Sequence, residues 1–167
     1  MGRAVRFRSR SRLGVQRGAV YRDLMVVAGG VRELCAEAER TLNPQDLGDF
    51  SVADVACALE AEDGTLWVGT CIGGYLGVCA EQSAVSAMVS AGPPVVRRIV
   101  AVWRDSDGGI HALPPCGRCR EFLRSVSPRN LDTEVVLGLD HVVRLRDLLP
   151  VHGWHSELLW PAGTARA

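Results

Sequence analysis

Cys116-Gly117-Arg118-Cys119 sets two thiols three positions apart, directly after Pro114-Pro115 and at the opening of an apolar-periodic run. On a helix, positions i and i+3 share one face, so a single turn presents both sulfurs together. Such a pair alone is ambiguous, because redox dithiols and half of many structural zinc sites share it. A third thiol sharpens it. Cys79 also opens a predicted helix, and Cys79-Ala80-Glu81 puts a carboxylate within one turn of it. Helix N-termini favour the thiolate, the form that binds zinc. Three protein ligands leave a fourth position for water, the arrangement of a catalytic site. One Zn2+ per chain on Cys79, Cys116 and Cys119 would bring the pKa of that water toward roughly 7. Glu81, beside the metal without ligating it, would carry the proton. The competing reading of the same residues is a structural zinc that staples two helices, with Glu81 incidental.

The remaining cysteines read differently. Cys35-Ala36-Glu37 repeats the tripeptide, but it falls mid-helix without a preceding glycine loop, which points to a core thiol. Cys57 lies within an apolar strand pattern and reads as packing. Cys71 ends the strand that leads to Cys79 and either packs or touches substrate; Asp54 is either a solvated strand residue or reaches substrate polar groups. His111, His141, His152 and His155 fall in loops or near the C-terminus, without ligand spacing to the cysteines.

Cys79-Ala80-Glu81 followed by Pro115-Cys116-Gly117-Arg118-Cys119-Arg120 resembles the zinc signature of the cytidine deaminase superfamily. The resemblance spans Tyr21 to about Trp154, and Cys as first ligand is similar to the free-nucleoside branch. Within it, the Pro-Cys-Gly-Arg-Cys-Arg run is especially similar to blasticidin S deaminases. The resemblance implies a three-layer α/β/α sandwich with a mixed five-stranded sheet, a small-molecule nucleoside substrate and a homotetramer. It also implies that Trp154 covers a base, often in a neighbouring subunit's site; the alternative is a packing Trp. Two departures stand out. The Asn-x-Glu pair that holds ribose in ordinary cytidine deaminases is replaced by Cys71-Ile72-Gly73-Gly74-Tyr75, and Gln82 stands where Arg commonly follows the Glu. Three thiolates leave zinc with a net charge of about −1, and Arg118, between two ligands, is the natural group to offset it.

The elements that position these residues follow from periodicity. Tyr21 to about Leu42 has helical spacing, with Gly29-Gly30 a weak point and Asn43-Pro44 a stop. Ser51 to Ala61, Asp63-Gly64 and Thr65 to Cys71 form a predicted β-hairpin. Gly73, Gly74 and Gly77 make a flexible loop into Cys79, and Ala80 to Ala91 is a helix ended by Gly92-Pro93-Pro94. Arg98 to Arg104 is a strand, Asp105 to Gly109 a loop, and Cys116 to Val126 a short helix. Glu134 to Leu139 is a further strand, and Val142 to Leu149 a last strand or short helix. Helices on a mixed sheet follow from this alternation.

At 167 residues the chain suits one domain, expected over 21–160 and flanked by tails over 1–20 and 161–167. Formal net charge is zero, which argues against whole-protein attraction to nucleic acid or anionic membrane. Every basic residue is Arg, and seven of them, from Arg3 to Arg22, precede the first acid, Asp23. That tail reads as disordered, with a nucleic-acid arm or presequence as the alternative. No apolar run reaches membrane-span length, and no secretory signal is present, so a reducing cytoplasm with free thiols is expected.

Overall fold

The computed structural model describes residues 30–152. Trp154, His155, both expected tails and residues 21–29 of the predicted N-terminal helix lie outside these residues.

The first described helix, α1, covers Val31–Thr41, with Gly30 as its N-cap. The glycine pair expected to weaken a longer helix therefore lies at the point where the described helix begins. Leu34 and Ala38 form its buried stripe. Next come β1 (Gln45–Asp46), β2 (Ser51–Ala61), β3 (Leu66–Ile72) and α2 (Ala80–Ala91). They are followed by β4 (Val96–Arg104), β5 (Ile110–Leu113) and α3 (Gly117–Val126). A turn of 3-10 helix over Pro128–Asp132 leads to β6 (Glu134–Gly138), β7 (His141–Arg144) and α4 (Leu145–Leu148). The last apolar stretch, read as strand or helix, is both in succession.

The sheet has seven strands rather than the expected five. Five of them run side by side in the order β3-β2-β4-β6-β7, parallel between β4 and β6 and antiparallel elsewhere. The two extra strands are short and fill unpaired stretches of edge. Val52 of β2 already pairs with Ile72 of β3, so β1 joins the opposite edge of β2 beyond the end of β4. β5 folds back on Ala101 to Arg104, along the edge of β4 that β6 leaves free. Periodicity missed both because neither is long enough to show alternation. The hairpin turn Asp105-Ser106-Asp107-Gly108-Gly109 is held by the Asp105 carboxylate, which accepts from the backbone N–H of Asp107 and of Gly109 at 2.9 and 2.8 Å.

Alternation along the strands separates two apolar layers. Cys57, Leu59, Trp67, Ile99 and Ala101 pack against Ala80, Ala84, Val85 and Met88 of α2 and Leu123 of α3. Ala58, Val100, Val102 and Val136 pack against Leu34 and Ala38 of α1 on the opposite face. The domain is a three-layer α/β/α sandwich. On the α2 side the layers come unusually close: a Cβ on Gly69 would stand 2.3 Å from the Ala84 nitrogen and 2.8 Å from the Ala80 oxygen. Only glycine lets β3 approach the first turn of α2 so nearly.

Candidate metal centre

Cys79 is the N-cap of α2, and Cys116 is the N-cap of α3, with Cys119 in the first turn behind it. The two helix starts meet over one face of the sheet. There the Sγ atoms of Cys79, Cys116 and Cys119 all lie within 4.8 Å of one another, and Cys79 and Cys116 are 3.8 Å apart. Sulfurs held at about 2.3 Å by a tetrahedral ion stand about 3.8 Å apart. The spacing and the all-thiol donor set therefore fit a zinc-type ion. Cys119 is buried, Cys79 half-buried and Cys116 exposed, so the cluster opens to solvent on one side.

Backbone geometry tunes the thiols unequally. Burial pushes Cys116 up, yet the backbone N–H groups of Cys119 and Arg118 and the facing thiols of Cys119 and Cys79 outweigh it and leave Cys116 below the ordinary range. Cys119 is driven far up, first by burial and then by the charge of Glu81. Burial likewise raises Cys79. A bound cation reverses this order, because it favours every thiolate at once.

Glu81, in the first turn of α2, is only 7% exposed. The neighbouring Cys119 thiol draws the Glu81 pKa down against the effect of burial, while the Glu81 charge reaches Cys57 on β2. Burial lifts its pKa above the usual carboxylate range. The structure thus brings four of the sequence candidates together: Cys79, Cys116, Cys119 and Glu81. Cys35 lies in α1 on the far face and takes no part.

The loop from Ile72 to Val78 is pinned rather than loose. Ile72 and Val78 exchange backbone hydrogen bonds at 2.9 and 3.0 Å, Gly73 donates to Ser51 and Gly77 to Gly74. Gly74 has φ 103°, a conformation that favours glycine. Arg118 ties this loop to α3: its guanidinium donates to the Gly77 carbonyl at 3.0 Å. Arg120, which spacing alone left without a role, donates to the carbonyls of Pro115 and Leu148 at 2.7 and 2.9 Å. It holds the approach to Cys116 against α4.

Asp54 and Cys71 meet at a bulge of β2. The pairing register of β2 with β3 shifts between Val52 and Ala56, and Ala53 adopts φ 58°. This turns the Asp54 carboxylate to accept from the Cys71 thiol at 2.7 Å and from the Ser51 hydroxyl at 3.0 Å. The Cys71 bond and the Ser51 bond hold Asp54 below the usual carboxylate range. His111, read as a loop residue, lies in β5, where its ring stacks on Trp103 with centroids 5.3 Å apart. Trp103 went unnoticed in the sequence because a lone aromatic at a strand end looks like packing.

No protein-family model matches the chain. The chain is 33% identical over 81 residues to the blasticidin-S deaminase of Bacillus cereus, a match covering 44% of the chain and 58% of that protein. It thus spans less than two thirds of that relative's length. Cytidine deaminase from Mycobacterium tuberculosis superposes with a TM-score of 0.56 at 26% identity, covering 71% of this chain and 93% of that one. The Mycobacterium leprae cytidine deaminase gives 0.58 at 25%, covering 74% and 100%. That of Burkholderia pseudomallei, at 24% identity and a TM-score of 0.59, shows the same fold. Together with the cysteine cluster, these likenesses define an α/β/α domain with three thiols, placed at two helix N-termini, that could hold a metal ion. In fold and in its three-cysteine cluster the chain is similar to cytidine deaminases.

Proposed function

We propose that this protein is a zinc-dependent hydrolase that removes the exocyclic amine of a 4-aminopyrimidine (cytosine) nucleoside, releasing ammonia and the uracil compound. The observation that carries the reading is the buried Glu81 carboxylate, one turn into the helix that Cys79 caps, beside a cluster of three thiols open on one side. Zinc on Cys79, Cys116 and Cys119 would supply a Lewis acid that acidifies water. The chain's own residues do the rest. Glu81 takes a proton from the attacking water, passes it to the ring nitrogen beside the amine-bearing carbon, and then supplies the proton with which ammonia leaves. Its raised pKa suits a group that must both accept and return a proton near neutrality.

A free nucleoside is the substrate, and nucleic acid is not: zero net charge provides no counterion-release term, and the described surface pairs its arginines with acids at many points. Asp54 and Cys71 contact the sugar side, Arg118 moderates the charge of the thiolates through the helix start it occupies, and Trp154 covers the base. A homotetramer in the cytoplasm is the expected assembly. Tyr75 and Leu76, exposed at the tip of the loop beside Cys79, supply apolar surface for it.

Because no Asn-x-Glu pair stands before Cys79, altered sugars are tolerated, and blasticidin S is turned over at least as efficiently as cytidine. Ammonia release and the ultraviolet change of cytosine to uracil, measured for cytidine, deoxycytidine, free cytosine and blasticidin S, test this. Turnover of none of them by zinc-loaded protein overturns the reading, leaving a stapling zinc or another amino-heterocycle.

A further inference from the structure

The sheet face turned away from the cysteines is only partly covered. Among the described residues α1 is the only helix in the apolar layer there, and it packs mainly on β2, β4 and β3. Beside it a cavity of about 300 Å³ opens to solvent. Arg32, Cys35 and Glu39 form the helical wall, spaced so that they lie along one flank of α1, next to the buried stripe of Leu34 and Ala38. Val102 of β4 and Ile110 and Ala112 of β5 make the floor, with Leu139, just past β6, at the far rim. Ala112 is paired with Val102, and Ile110 lies two positions away on the same strand, so all three side chains stand on the α1 face.

The chemistry of this cavity is one-sided. Its floor is apolar, with Val102 1% exposed, and burial raises the Cys35 thiol beside it. Of the two charged groups on the helical wall, Glu39 is already bound to Arg104 at 3.1 Å. Arg32 forms no ion pair or hydrogen bond among the described residues. Glu33 does not line the cavity, and its carboxylate lies over Gly30. The rim therefore carries one unopposed positive charge above an apolar floor. A cavity of about half this volume holds benzene, so this one has room for an aromatic ring with a short tail, about ten non-hydrogen atoms.

The floor strand also leads to the metal centre. Leu113 follows Ala112 and joins the opposite apolar layer, under α2 and α3. Pro114-Pro115 carry the chain from there to Cys116, the N-cap of α3. Whatever holds β5 against the α1 side thus restrains Cys116 on the other.

We propose that this cavity is a second binding site, for a small apolar carboxylate whose ring lies on Val102, Ile110 and Ala112 and whose head meets the Arg32 guanidinium, and that its occupancy steadies Cys116 through β5. A carboxylate matches a guanidinium in two-point geometry, and the apolar body adds the burial that an exposed ion pair alone lacks. The site lies across the sheet from the cysteines and stands or falls independently of the reaction assigned to them.

The test titrates phenylpropionate and its uncharged amide, phenylpropionamide, into the zinc-loaded full-length chain by calorimetry. The acid binds with a Kd of about 1 mM or below, about fivefold more tightly than the amide. Arg32→Gln, at an exposed position without a partner, removes that preference and leaves the amide unchanged. Ala36→Leu, which fills the cavity from the helix side, weakens both. Stripping of zinc by a chromogenic chelator slows when the acid is bound to wild type, and not in Arg32→Gln. Equal binding of acid and amide overturns the proposal, as does an acid preference that survives Arg32→Gln, the result expected of a carboxylate taken up by the zinc itself. Absence of binding by either compound overturns it too. Binding that weakens as protein concentration rises overturns it in favour of a second copy of the chain as occupant. Zinc release unaffected by bound acid overturns the link to Cys116.

Discussion

The sulfurs of Cys79 and Cys116 stand 3.8 Å apart although 37 positions separate them in the chain. Each caps a different helix, so the contact exists only when α2 and α3 are docked on the same face of the sheet. Metal binding and the docking of these helices are therefore one event, and a cation that binds the folded form stabilises it by mass action.

The first consequence concerns which thiols hold metal. Cys79→Ala, Cys116→Ala and Cys119→Ala lose most of the roughly one equivalent of zinc, while Cys35→Ala, whose thiol faces α1's side of the sheet, retains it. Elemental analysis of the four purified variants decides the point. Zinc lost from Cys35→Ala and kept by Cys79→Ala would mean that the wrong Cys-Ala-Glu tripeptide had been chosen.

Catalysis separates from metal binding at Glu81. Glu81→Gln keeps the shape and the zinc but cannot accept a proton, so turnover falls by at least about 10²–10⁴. Steady-state ammonia release beside metal content checks it; near-normal release sinks the proton-shuttle role.

Arg118 is open to two accounts, charge balance for the thiolates and a tether to the Gly77 carbonyl. In the first, Arg118→Ala raises the pH at which activity appears, and a second substitution, Gln82→Arg, restores it. In the second, zinc retention falls and Gln82→Arg gives no rescue. The buried Gln82 carbonyl accepts no hydrogen bond among the described residues, so its replacement breaks no existing polar contact there. Charge balance predicts the rescue, and activity profiles against pH for the single and double variants report it.

A purely steric prediction falls at Gly69. Alanine there would put a methyl 2.3 Å from the Ala84 nitrogen, forcing α2 away from β3. The cost is about 1–3 kcal/mol of stability, the usual size of overpacking. The displaced helix carries Cys79 and Glu81, so turnover falls with it. Thermal melts and activity measured together check this, and an unchanged melting temperature would show that the layer is looser than its geometry.

What the sequence disclosed depended on the range of the signal. The cysteine cluster was legible because its members lie at helix starts marked by Pro115 and by the Gly-rich loop, both local cues. The long strands β2 and β4 were legible from their apolar runs, whereas β1 and β5 were too short to show a period. The cavity beside α1 was illegible for another reason. Its walls come from a helix and three strands, and tertiary packing, not any window of neighbouring residues, decides which of them meet. The Asp54–Cys71 contact belongs to the same class, since nothing in the order of residues shows that a left-handed alanine will turn Asp54 toward the next strand.

That contact makes a prediction about acid. The Cys71 thiol and the Ser51 hydroxyl bond the ionised form of Asp54 and hold its folded pKa below its ordinary value of 3.8. A carboxyl depressed on folding adds stability that is fully present above the unfolded pKa and is lost as pH falls through the folded one. Wild type therefore loses this contribution only below about pH 4. Asp54→Asn, which cannot ionise, never has it. The gap in melting temperature between wild type and Asp54→Asn is expected to be constant from neutral pH down to about 5 and to close below about 4. Measuring both proteins across that range cancels acid effects on the thiols, which the two share. The carboxylate is largely exposed, so the gap is small, but its closing has a definite direction. A gap that widened in acid would mean that the proton binds Asp54 more readily in the folded protein, and that the Cys71 thiol does not stabilise the charged carboxylate.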